Sequence, residues 1–105
     1  MTPTSAHKID AASAQRGEHG QIVLAAGTSV AMRAWRDEAP GEPKALTTRE
    51  YDTVGYVLRG RAELHCGGDI VTLGEGDSYL VPRGIAHTYK ILATFSAVEA
   101  ISPPA

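Results

Sequence analysis

From residue 55 to residue 84 the chain meets Gly or Pro at positions 55, 60, 67, 68, 74, 76, 82 and 84. Punctuation this dense leaves no uninterrupted stretch long enough for an ordinary helix of about 10–14 residues. Short extended segments between tight turns remain. The segments agree: Thr53–Leu58 is β-branched and aromatic-rich, and it stops at Arg59-Gly60. Arg61–Cys66 meets Gly67-Gly68, a two-residue hairpin signal, and Asp69–Leu73 returns. Gly74–Asp77 is a tight turn before Ser78–Val81, and Pro82–Gly84 turns the chain again. Ala86–Leu92 and Thr94–Ile101 follow. Upstream, Gln21–Ala26 and Val30–Arg36 read as strands, and the two prolines of Ala39–Pro43 make a loop. The reading predicts eight or nine short strands, no helix, and a double-sheet jelly roll or small barrel.

Length and charge narrow the rest. A chain of 105 residues fits a single domain. The jelly roll is expected over 21–101, with an N-terminal arm or edge strand over 1–20 and a tail over 102–105. A net charge of −2 gives no broad reason to bind nucleic acid or an anionic membrane. No apolar run approaches the ~20 residues of a membrane span. Met1–Gly20 lacks the apolar core of a secretory leader, and Cys66, the single cysteine, has no partner within the chain. A cytoplasmic protein is expected.

Two stretches resemble the paired motifs of the cupin family. The second is Gly76-Asp-Ser-Tyr-Leu-Val-Pro82-Arg-Gly84-Ile-Ala-His87, with every fixed position in place. Gly76 takes a turn, Pro82 ends a strand without needing a donor, and Gly84 re-aims the chain before His87. The first motif is half present, as Gly55-Tyr-Val-Leu-Arg-Gly60 followed by Arg61-Ala-Glu-Leu64. The resemblance implies an all-β double-stranded β-helix, the cupin jelly-roll barrel, enclosing a small-molecule pocket. It also implies a metal held by two histidines, a glutamate and His87. Here the glutamate position is Thr53, and the histidine pair falls on Leu46 and Thr48, or on Thr47 and Arg49. Only His87 of the family's ligands remains.

Strand parity distributes the candidates. With His87 inward, Tyr89 and Ile91 face in, as do Thr53, Gly55 and Val57 on their strand and Ala62, Leu64 and Cys66 on the next. Glu63 and His65 then face out. The expected ligand-binding set is His87, Tyr89, Thr53 and Thr48: one imidazole and several hydroxyls in an otherwise apolar lining. No metal or other cofactor is expected. The alternative is a divalent transition metal at an atypical site, His87 with Asp52 and Glu50, reached if a bulge brings Asp52 inward. Arg33, Trp35 and Arg36 are candidates for contact with an anionic ligand, or for packing against the arm or a partner subunit. Binding of a small organic molecule is the favoured function. An enzyme of isomerase, lyase or oxygenase type, using His87 with Tyr89 or an atypical metal, is the alternative. Tyr56 and Leu58, facing out, suit a homodimer.

Overall fold

Every regular element in the computed structural model, which describes residues 5–104, is a β-strand. The strands are β1 (Ile22–Ala26), β2 (Ala31–Glu38), β3 (Asp52–Cys66), β4 (Asp69–Gly74), β5 (Ser78–Val81) and β6 (His87–Ser102). All pairings are antiparallel.

The expectation of eight or nine strands is corrected to six because the two central ones are long and bent. β3 joins Thr53–Leu58 to Arg61–Cys66, and β6 joins the last two expected segments. Gly60 is the device that allows this. Its φ is 88°, and a Cβ there would overlap the Thr94 carbonyl oxygen and lie 2.8 Å from that of Ala93. The pairing of β3 with β6 shifts register between Val57 and Ala62, so the ladder bends at the Gly60 level without breaking. Residue 60 reads as a stop in sequence but acts as a corner in the fold. A smaller irregularity between Trp35 and Glu38, with Asp37 at φ 54°, carries β2 beyond Arg36.

The bend divides each long strand between two layers. One layer contains β1, β2, the second half of β6, the first half of β3, and β5. The other contains the first half of β6, the second half of β3, and β4. Thr47 and His87 exchange backbone bonds of 3.0 and 2.9 Å, extending the second layer past β6. Between the layers Val57, Ala62, Leu64, Leu73, Val81 and Phe95 form the centre of the core. Alternation along β3 is strict at its start: Thr53, Gly55 and Val57 are buried while Asp52, Val54 and Tyr56 are exposed. At the hairpin, Cys66 pairs with Asp69, and Gly67 and Gly68 both take positive φ, as a type I′ turn requires.

Residues 5–20 form no strand. They touch the barrel through an Arg16–Ile22 bridge and a 2.9 Å bond from Val23 N–H to the Gln15 carbonyl.

Candidate functional site

The register places one row of side chains across the first layer. Arg33 on β2 pairs with Glu99 on β6, Glu99 with Gly55 on β3, and Gly55 with Tyr79 on β5. All four point between the layers. Gly55 is the gap in the row: a Cβ there would run into the Tyr79 ring. Without it the ring crosses β3, and the Tyr79 hydroxyl donates to Glu99 Oε2 at 2.5 Å. The other carboxylate oxygen, Oε1, accepts from Arg33 Nε at 2.7 Å and from Trp35 Nε1 at 3.0 Å. Arg33 Nη1 also donates to the Tyr51 hydroxyl at 3.0 Å. The Glu99 side chain is 1% exposed, so its charge depends on these donors rather than on water.

The electrostatics follow from that buried carboxylate. Burial, then the neighbouring Glu99 charge, pushes the phenols of both Tyr79 and Tyr89 well above the ordinary range. Burial alone would lower the Arg33 guanidinium; the charge of Glu99 and the bonds to Tyr51 and Glu99 outweigh it, and the net shift is upward. At neutral pH the cluster therefore holds a fixed cation and two neutral phenols.

Above this row lies a cavity of about 520 Å³, within the ~300–1,000 Å³ typical of small-ligand sites. Arg33, Trp35, Tyr79 and Glu99 line it from the first layer, and His87, Tyr89 and Ile91 from the second. Glu42, Lys44 and Ala45, all exposed, stand at its mouth. His87 Nδ1–H donates to the Ile85 carbonyl at 3.0 Å, which fixes the tautomer and leaves Nε2 without a partner among the described residues. The Tyr89 ring meets those of Tyr79 and His87 edge-on, at 6.2 and 6.1 Å.

The cavity thus brings together His87 and Tyr89 of the residues expected from sequence, but not Thr53 or Thr48. Thr53 is inward-facing and 3% exposed, yet it is packed in the row of Val81 and Ile101 and does not line the cavity. Thr48 is exposed, because its neighbour Thr47 takes the inward position opposite His87. Of the β2 candidates, Arg33 and Trp35 face the cavity and Arg36 is exposed on the opposite face. Glu99 was missed. The available signal was a charged residue in the apolar run Phe95–Ile101, on the face of Phe95, Ala97 and Ile101. An arginine stood similarly within β2.

The residues around His87 do not fit the metal implied by the second motif. A divalent transition metal generally takes three or four ligands from His, Cys and carboxylate. Here His87 is accompanied by hydroxyls and aromatic rings. The atypical arrangement is corrected too: Glu50 is exposed beside Arg83, and Asp52 accepts a 2.8 Å bond from Arg83 N–H. No bulge turns Asp52 inward, since Asp52 and Thr53 pair in sequence with Ser102 and Ile101. Among the described residues no three His, Cys, Asp or Glu side chains converge on a common point. Cys66 pairs across the ladder with His87, while His65 contacts Glu63 at 3.0 Å, as expected from parity.

The sequence pattern of the Cupin domain family matches residues 35–101. The chain belongs to the cupin family. The match includes both motif stretches and strands β3 to β6, of which β5 and β6 contribute Tyr79, His87, Tyr89 and Glu99 to the cavity. In sequence the cupin is similar to an uncharacterized protein of Aquifex aeolicus, 36% identical over 55 residues, or 52% of this chain. That match spans 46% of the Aquifex protein's length. In structure it is similar to an RmlC-like cupin from Shewanella frigidimarina: TM-score 0.81, 19% identity, 95% of this chain and 93% of that one. KdgF from a Halomonas species matches at TM-score 0.80 and 21% identity, over 97% and 96% of the two chains. The Schizosaccharomyces pombe Cnp3 cupin domain matches at 0.75 and 14%, over 89% and 71%. At these identities the likeness is one of fold.

Proposed function

We propose that this cupin binds a small organic molecule in its barrel cavity, without the metal usual in the family. The observation that carries the reading is the Arg33–Glu99–Trp35–Tyr79 cluster at the inner end of a cavity of about 520 Å³. Its bonds fix the side chains before any ligand arrives, which lowers the entropy lost on binding. Unpaired polar atoms on His87 and Tyr89 face the same space, as a binding site requires. The raised phenols of Tyr79 and Tyr89 stay protonated at neutral pH, which keeps the Tyr89 hydroxyl available as a donor to a ligand.

The protein is proposed to act in the cytoplasm as a homodimer. Val54, Tyr56, Leu58 and Leu80 are each about half exposed, an apolar surface that a second copy would cover. The binding test is thermal stabilisation by a chemically broad set of small molecules. Hits are expected to stabilise the parent and to lose that effect in His87→Ala. Ligand stabilisation that survives His87→Ala counts against the cavity. Metal analysis of untagged protein, purified without chelators, is expected to find less than about a tenth of an equivalent, with no shift in Tm on adding Fe, Mn, Ni or Zn. A stoichiometric metal would overturn the metal-free part of the proposal.

A further inference from the structure

The polar atoms of the cavity are unevenly used. Arg33 Nε and one hydrogen of Nη1 are taken by Glu99 and Tyr51. The guanidinium lies near the rings of Trp35, at 5.8 Å, and Tyr51, at 5.4 Å. What remains is Nη2, which has no hydrogen-bond partner among the described residues, and one hydrogen of Nη1. No fully buried side-chain nitrogen or oxygen there lacks a partner. Nη2 therefore keeps access to solvent, and Arg33 lines the cavity. The Tyr89 hydroxyl is in the same position.

Two parallel N–H groups on a guanidinium edge match the two oxygens of a carboxylate. The charge balance limits how much anion the site can take. Glu99 is held by Trp35 and Tyr79 as well as by Arg33, so a second carboxylate on Arg33 does not strip it of donors. The remaining charged lining, Lys44 and Arg49 against Glu38 and Glu42, sums to zero. A single added charge is tolerable beside a cation that its surroundings hold charged. With Arg33 already paired to Glu99, any anion adds net negative charge, and a phosphate adds nearly twice what a monocarboxylate does in a half-desolvated site. Trp35, which lies next to Arg33, and Phe95 and Ile91 give the cavity an apolar lining.

We propose that the free edge of Arg33 is a carboxylate subsite, and that the ligand is a small monocarboxylic acid with an apolar body. The carboxylate takes the two N–H groups, the body lies against Trp35, Phe95 and Ile91, and the Tyr89 hydroxyl donates to the ligand. The inference rests on the small-ligand reading above.

The test uses matched probes on the full chain. Benzoate, benzamide and phenyl phosphate, and the corresponding cyclohexane acid and amide, are titrated by calorimetry and by the fluorescence of Trp35, the single tryptophan. The acids are expected to bind at least about tenfold tighter than their amides, as for one charge-assisted bidentate contact. Arg33→Lys should remove most of that preference, while Arg36→Gln, on the opposite face, should leave it intact. Should Arg33→Lys fail to fold, the acid-to-amide ratio of the parent still decides. Equal affinity for acid and amide, or tighter binding of the phosphate, overturns the carboxylate subsite and leaves the small-ligand reading standing. Failure of every probe, and of a broad neutral and cationic set, overturns both.

Discussion

Replacing Gly55 with alanine tests whether the row across the first layer is built as described. The added Cβ would lie 2.5 Å from the Tyr79 hydroxyl oxygen and 2.6 Å from Cε1. Comfortable carbon–carbon contact is about 3.5–4.0 Å. The ring must therefore lift by roughly an ångström, and its 2.5 Å bond to Glu99 breaks. Overpacking of this kind costs about 1–3 kcal/mol. A lost hydrogen bond to a buried charge costs about 1.5–3 kcal/mol. Because the effects share one ring, we expect about 3 kcal/mol in all, a drop in Tm of at least about 10 °C. The opposite sign is the natural alternative. Gly55 has no positive φ, and alanine at an unstrained, open position would stabilise by about 0.4–1 kcal/mol through the unfolded chain. The assay is thermal and urea unfolding of the parent, Gly55→Ala, Tyr79→Ala and the double variant. Without the ring there is nothing to meet, so Gly55→Ala should add less than about 0.5 kcal/mol in the Tyr79→Ala background, a coupling of about 2 kcal/mol or more. Additive effects, or a Gly55→Ala variant melting within about 2 °C of the parent, would refute the reasoning.

Glu99→Gln leaves Arg33 buried without its counter-charge, and should cost about 3 kcal/mol by urea unfolding. Joint replacement by Arg33→Met and Glu99→Leu should cost less than either single change, since it removes both charges together. Stability should fall on the alkaline side. The phenols of Tyr79 and Tyr89 are raised in the folded protein, so above about pH 10 the unfolded chain loses protons that the native state keeps. Their contribution is fully present below pH ~10 and declines above it by up to about 1.4 kcal/mol per pH unit for each tyrosine. Urea midpoints between pH 9 and 11 measure the slope, and Tyr79→Phe should flatten it. Leu58→Lys on the proposed dimer face should give a monomeric mass by light scattering at micromolar concentration, with Tm changed by less than about 5 °C in the presence of ligand.

Much of the barrel was legible in the chain because its signals are local. Gly67-Gly68 and Gly74–Asp77 dictate turns through backbone conformation, and the alternation of Thr53, Gly55 and Val57 sets a face without reference to any neighbour. Strand number was misread for the opposite reason. Whether Gly60 ends a strand or bends one depends on the Ala93–Thr94 segment lying against it, which is remote in sequence. The same distinction holds at the site. His87 and Tyr89 carry a motif and a parity of two, so both were placed on the inward face, where they line the cavity. Thr48 was misplaced by one residue, because only the Thr47–His87 bridge decides which side chain of that loop turns inward.

The sequence by itself determined an all-β cupin chain, the inward faces of β3 and of the start of β6, and the loss of the family's histidine pair and glutamate. These depend on residue identity and on spacing along a strand. Tertiary structure alone decided that Arg33, Glu99, Gly55 and Tyr79, scattered over 67 positions of chain from 33 to 99, stand in one row. The physical reason is register. Cross-strand neighbours are fixed by the antiparallel alignment of whole strands, and burial then forces the charges in that row to satisfy one another. Glu99, the one carboxylate between Phe95 and Ile101, is the residue on which Arg33, Trp35 and Tyr79 converge.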